Sequence, residues 1–156
     1  MDDILSSIIN EAIRLELNLA KLYLNFHLKF PDDANFWWKL TMEEENHASL
    51  LRSAREYFIP ADVFPRNMLS SDLDPLVEIN KRLESLLVLY QQTPPSRKNA
   101  FADAIQFEQS AGESHYQHAM SLPRQSPVLK VFQELNSNDK NHVDRLHAYM
   151  ETHDFG

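Results

Sequence analysis

Glu43-Glu44-Glu45-Asn46-His47 lies inside a run without proline or glycine, from Phe36 to Phe58, that reads as one helix. Apolar residues recur there at Trp37, Leu40, Leu51, Ala54 and Phe58, at alternating spacings of three and four. Extended through its middle, that seam falls on Glu44 and His47. A carboxylate and an imidazole three residues apart are thus predicted on the buried face of a helix. A buried charge is costly unless something pairs with it. What pairs with Glu44 decides both the fold and the chemistry.

Working outward, eight prolines divide the chain into five proline-free blocks. None shows the strict alternation of a half-buried strand, and all show helical spacing, so the chain is predicted to be all-α and to form one domain over residues 1–156. The first block, Asp3 to Lys29, carries Leu5, Ile9, Ala12, Leu19, Tyr23, Phe26 and Phe30 on one seam, broken only by Glu16. Pro31-Asp32-Asp33 is a turn, with Asp33 as the expected N-cap of the second helix. So short a connection makes helices one and two antiparallel neighbours. Ile59 to Asp74 is long for a bundle loop and is read as a crossover. The third block, Pro75 to Gln92, is a shorter helix opened by Asp74-Pro75, and its seam of Leu76, Ile79, Leu83, Leu86, Leu87 and Tyr90 carries no acid. The fourth block, Arg97 to Ser121, has Glu108 within its apolar seam. The fifth, Val128 to Thr152, has Asp139 and His142 in its seam.

The chain also contains its own near-copy. Ala12-Ile13-Arg14-Leu15-Glu16 matches Ala104-Ile105-Gln106-Phe107-Glu108 at an offset of 92 residues. Glu44-Glu45-Asn46-His47 matches Asp139-Lys140-Asn141-His142 at an offset of 95, and Trp37, Leu40 and Leu51 have counterparts in Phe132, Leu135 and Leu146. Two helical hairpins are implied, each with Glu on its first helix and Glu/Asp-x-x-His on its second. The candidate site is therefore Glu16, Glu44, His47, Glu108, Asp139 and His142. Four carboxylates in a low-dielectric interior repel one another, whereas two divalent cations would neutralise them. Mixed oxygen and imidazole ligation suits iron or manganese, with zinc as a competitor. The bland alternative is that each Glu-x-x-His is a surface ion pair. The recurrence of the same polar types at the same seam positions, in order, favours a metal site.

This arrangement resembles the ferritin-like superfamily, and within it the rubrerythrin-type di-iron domain. The resemblance covers four of the five predicted helices and implies a four-helix bundle of two pseudo-repeated hairpins, with the block Pro75 to Gln92 as an extra helix between them. It implies that two iron ions are held by Glu16, Glu44, His47, Glu108, Asp139 and His142, with Glu16 and Glu108 as the bridges. Glu16 with Tyr23 seven residues on looks like the family's first-helix pattern. Asp139 stands where the family has Glu, so a loose metal is expected on that side. Tyr116 follows Glu108 by eight residues rather than seven. A di-iron oxidoreductase that reduces peroxide or dioxygen is the expected activity. Iron storage without turnover, or a helical interaction module with a decayed site, are the alternatives.

Composition limits the partners. The formal charge of −8 argues against a nucleic-acid binder. Cysteine is absent, so this chain holds no disulfide, thiolate site or rubredoxin-like centre, and a peroxidase role would need an external electron donor protein. No apolar run approaches the roughly 20 residues of a membrane span. Met1-Asp2-Asp3 lacks a signal-peptide n-region, so a cytoplasmic location is expected. Exposed aromatics at Phe36 and Trp38 point to a homodimer contact. Other polar residues are assigned to solvent or packing: Glu43 and Glu45 to the outside or a neighbouring helix, His115 to packing, Trp37 and Trp38 to core and interface. Gly112 is read as either a close-approach site or the relief of a tight helix contact, and Glu113 as solvated.

Overall fold

The computed structural model describes residues 3–62, 64, 72–110, 118–120, 127–135 and 141–153. Among them every regular element is helical and none is a strand. Helix α1 spans Asp3–Lys29, α2 Ala34–Tyr57, α3 Leu73–Gln92, α4 Arg97–Glu108, α5 Pro127–Leu135 and α6 His142–Thr152, and a 3₁₀ turn, Pro31–Asp33, joins α1 to α2. No helix among the described residues is long and apolar enough to cross a membrane.

Helix α1 is the organising rod. It is buried on more than one stripe, because Ile8, Ile13, Leu15 and Leu22 are covered as well as the predicted seam of Leu5, Ile9, Ala12, Leu19, Tyr23 and Phe26. The width of that stripe follows from its two neighbours, α2 and α3. Helix α2 runs antiparallel to it: His27 Nδ1 meets the Ala34 carbonyl at 2.8 Å at one end, and Arg55 donates to Asn10 Oδ1 at 2.9 Å at the other. Helix α3 runs parallel to α1, since Asn80 bonds to Glu11, Glu84 to Arg14 and Asn18, and Tyr90 lies 6.1 Å from Phe26. Leu76, Leu83 and Tyr90 form its buried seam, and the fully buried Asn80 lies among them. Asn80 Nδ2 donates to the Glu11 carbonyl at 3.0 Å and to Glu11 Oε2 at 2.8 Å, while its Oδ1 accepts from Asn18 Nδ2 at 3.2 Å. Helices α4 and α6 pack together antiparallel, with Phe101 stacked on Tyr149 near one end and Glu108 bonded to His142 at the other.

Several local expectations are corrected. Asp33 occupies the N-cap position of α2, but its side chain makes no capping bond. Its backbone, with φ −108° and ψ 9°, lacks the extended conformation that aims a capping side chain at the helix. The carboxylate instead accepts from Arg97 Nε at 2.7 Å, Arg97 Nη2 at 2.9 Å and the Tyr149 hydroxyl at 2.7 Å. It thereby fastens the α1–α2 corner to the start of α4 and the end of α6. Helix α3 begins two residues before Pro75, at Leu73, where proline within the first turn is harmless. Helix α4 does not continue to Ser121. It ends at Glu108, where the Gln109 and Ser110 amides turn back on Ile105 and Phe107, ahead of the weak helix formers Ser110 and Gly112. The fifth block is likewise not one helix. Asn141 is non-helical and caps α6, its Oδ1 accepting from the Asp144 amide at 3.2 Å. Phe36 is not a free surface aromatic, because it stacks on Tyr149 at 4.2 Å and on Phe101 at 5.6 Å. Trp38, 47% exposed, remains on the surface.

The corner clasp carries a prediction. Asp33 is only 2% exposed, so Asp33→Ala strands a guanidinium and a phenol together. The variant is expected to lose about 2–3 kcal/mol of stability, at the low end for breaking a buried pair because Arg97 reaches solvent. A shift of the urea unfolding midpoint at constant slope is the check.

Candidate metal centre

Four helices deliver the site. Glu16 comes from the middle of α1, and Glu44 and His47 from the middle of α2, where spacings of four and three place them below Leu40 and above Leu51. Glu108 is the last residue of α4 and His142 the first of α6. All five are buried. They form two groups, Glu16–Glu44–His47 and Glu44–Glu108–His142, and within each group the candidate ligand atoms lie within 4.8 Å of one another. Glu44 belongs to both. His47 Nδ1 stands 3.6 Å from Glu16 Oε2 and 3.6 Å from Glu44 Oε2. His142 Nδ1 stands 2.8 Å from Glu44 Oε1 and 3.1 Å from Glu108 Oε1. The two imidazoles face each other nearly parallel, with centroids 5.8 Å apart.

Five of the six residues predicted from sequence thus converge. Asp139 lies outside the described residues, as do Gly112, Glu113, His115 and Tyr116. The grouping of the described residues is uneven. The residue common to both groups is Glu44, whereas Glu16 and Glu108 each serve one. The reason is positional: Glu44 lies on α2 between the α1 contact and the α4–α6 contact, and its two oxygens point one to each imidazole.

Burial leaves these acids short of donors. Glu16 Oε2, both oxygens of Glu44 and Glu108 Oε2 are buried, and among the described residues no donor bonds them with hydrogen-bond geometry. Burial pushes the Glu16 carboxyl up to about 8, and the neighbouring Glu44 charge adds to the rise, so at neutral pH Glu16 holds a proton. Burial works the same way on Glu108, but His142 and the Tyr23 hydroxyl, 2.5 Å from Glu108 Oε1, outweigh it and hold the carboxyl below its ordinary value. Burial would lower His142, yet the Glu108 and Glu44 charges hold it well above the usual imidazole range. The protein alone therefore keeps protons on Glu16 and His142.

Glu43 is the buried acid beside the site that seam spacing missed. It is buried against a neighbouring helix, one of the two places sequence allowed it. Arg145 Nη1 and Nη2 hold its carboxylate at 2.5 and 2.8 Å, and Glu43 Oε1 lies 3.6 Å from His142 Nε2. Burial raises the Glu43 carboxyl, but the neighbouring His142 and the two hydrogen bonds from Arg145 override this and bring it to about 2. His142 turns Nδ1 to Glu44 and Glu108, with Nε2 on the Glu43 side. The available signal was Arg145, three residues after His142 and on the same helix face.

The arrangement fits a cation. Ligand atoms about 2.0–2.2 Å from a common ion stand roughly 3.0–3.6 Å apart, and His47 Nδ1 already stands 3.6 Å from both Glu16 Oε2 and Glu44 Oε2. Carboxylate oxygen with imidazole nitrogen is the donor set of iron, manganese and zinc sites. Either buried Glu/His group could hold a metal ion. Comparison with protein families, curated proteins and solved structures finds no match to this chain.

Proposed function

We propose that this chain is a ferritin-like di-iron carboxylate protein of the rubrerythrin type, an oxidoreductase that reduces peroxide or dioxygen with electrons from an external donor. The observation that supports this most directly is the pair of fully buried Glu/His groups sharing Glu44. No solvent-exposed ion pair would explain buried carboxylates left without donors. The antiparallel pairs α1–α2, with Glu16, Glu44 and His47, and α4–α6, with Glu108 and His142, are consistent with the pseudo-repeat of the sequence.

Glu16, Glu44 and His47 would hold one ion, and Glu44, Glu108 and His142 the other, with Asp139 as the expected further ligand of the second. Iron, when bound, supplies the redox electrons and the positive charge that cleavage of an oxygen–oxygen bond needs. The chain's own residues do the rest. Glu44 ties the two positions together. Tyr23 fixes Glu108 through its hydroxyl, and Glu43 with Arg145 fixes His142. Leu15, Leu19, Leu40, Ala48 and Leu51 are buried on the same helices and help keep bulk water out.

The test is anaerobic Fe(II) loading followed by elemental analysis and stopped-flow absorbance. About two irons per chain are expected, with repeated turnover on peroxide while a reductant is supplied. A single oxidation without turnover would assign the fold to iron storage. A chain that takes up no metal would leave a helical interaction module.

A further inference from the structure

The buried cluster is joined to the surface by a line of rings. The Tyr23 hydroxyl bonds to Glu108 Oε1 at 2.5 Å, and its ring stacks on Trp37 with centroids 5.6 Å apart and planes at 28°. Trp37 is fully buried and lies 4.6 Å from Phe101 and 5.3 Å from Phe36. Both of those rings stack on Tyr149, at 5.6 and 4.2 Å. Tyr149 in turn stacks on the exposed His153 at 3.7 Å, and its hydroxyl donates to Asp33 Oδ1 at 2.7 Å. His153 lines a surface cleft of about 390 Å³ together with Lys29, Asp33 and Arg97.

Packing explains why rings fill a core. It does not explain why each of the two phenols in the line has a carboxylate as its proton acceptor, nor why a bulky indole stands between them with its N–H unbonded among the described residues. We infer that Tyr23, Trp37 and Tyr149 form a one-electron route between the carboxylate–histidine cluster and the surface at His153. The inference rests on the redox reading of the cluster.

The steps balance. An oxidising equivalent produced at the cluster takes one electron from Tyr23, whose phenolic proton moves to Glu108 Oε1. Trp37 gives Tyr23 an electron and the proton returns. Tyr149 gives Trp37 an electron while its own proton moves to Asp33 Oδ1. An external one-electron donor at the His153 cleft then refills Tyr149, and Asp33 returns the proton. The donor loses one electron, the cluster gains one, and no covalent bond beyond the shuttled O–H bonds changes. A second branch, through Phe26 at 4.9 Å from Trp37 to Tyr90 at 6.1 Å from Phe26, ends on Asp103 and serves as the control.

The absence of native cysteine allows a unique label. A ruthenium photosensitiser on Glu151→Cys, an exposed site on the turn of Tyr149, is flashed with an irreversible electron acceptor to make Ru(III). In Fe(II)-loaded protein, iron oxidation should follow the flash, and should slow about tenfold or more in Trp37→Phe and in Tyr149→Phe but not in Tyr90→Phe. In iron-free protein, trapped paramagnetic resonance spectra should contain a Tyr23 radical, identified by its loss in Tyr23→Phe, that is missing in Trp37→Phe and in Tyr149→Phe. That arm needs no iron, so it decides the route even where iron binding fails. Circular dichroism checks the helical fold of each variant, and Tyr149→Phe, on a half-buried ring, stands in if Trp37→Phe does not fold. Equal rates in all variants, sensitivity to Tyr90→Phe instead, or no Tyr23 radical in the unsubstituted chain would overturn the route.

Discussion

On the proposed di-iron reading, Glu44→Gln is expected to abolish metal binding at both groups, while Glu16→Gln and Glu108→Gln each abolish it at one. The asymmetry follows from geometry. Glu44 Oε2 is 3.6 Å from His47 Nδ1 and Glu44 Oε1 is 2.8 Å from His142 Nδ1, so one carboxylate serves two positions. Glu16 belongs only to the His47 group and Glu108 only to the His142 group. Glutamine keeps the volume and removes the charge, so the helices should stay packed. Elemental analysis after anaerobic Fe(II) loading and desalting should read about two irons for the unsubstituted chain, near zero for Glu44→Gln, and about one for each of the others. A Glu44→Gln protein that keeps half its iron would show that the groups do not share a ligand.

The second large effect is a reversal of pH dependence on metal binding. Glu16 titrates near 4.5 in an unfolded chain and at about 8 when folded without metal. A group raised on folding contributes fully below its unfolded value, and that contribution is lost as pH rises through the folded one. Metal-free protein should therefore lose stability across that interval. His142, also raised by its carboxylate neighbours, acts in the same direction above 6.5. Glu43 acts oppositely, supporting the fold above 4.5 and ceasing to do so as pH falls to about 2. A metal ion takes the place of the Glu16 and His142 protons, so its affinity should rise with pH and widen the gap between loaded and metal-free protein. Glu16→Gln removes the penalty of burying an ionisable acid. In metal-free form it should melt roughly 5 °C or more above the unsubstituted chain near pH 8, while gaining less from Fe(II). Scanning calorimetry at several pH values, with and without metal, would refute this if the metal-free melting temperature were flat or rose with pH.

How far the chain could be read beforehand depends on whether a feature is local. The α2 seam was legible because Trp37, Leu40, Glu44, His47, Leu51 and Ala54 all obey one helical spacing, and all six are buried. Glu16, Glu108 and His142 were legible because the repeat brought them into register with that seam. Roles that depend on partners far along the chain were not. Glu43 is held by Arg145, 102 residues away, and Asp33 by Arg97 and Tyr149, 64 and 116 residues away. A capping residue and a corner clasp look alike until the third dimension brings the guanidinium. Sharing of Glu44 was hidden for the same reason, since spacing places a side chain on a face but does not say which of two neighbours each oxygen meets. The breaks after Glu108 and before His142 were visible only as weak helix propensity within otherwise periodic blocks.

Asn80 has a further consequence, for the alignment of α3. Leu76, Leu83 and Tyr90 recur every seven residues, so a slide of two helical turns along α1 would set leucine where leucine already sits. Dispersion and burial barely distinguish those placements. Asn80 does, because its amide finds the Glu11 carbonyl, Glu11 Oε2 and Asn18 in only one of them and would be buried without partners in the others. The apolar seam makes α3 adhere; Asn80, together with Glu84 on Arg14 and Asn18, acts as the vernier that tells it where to stop.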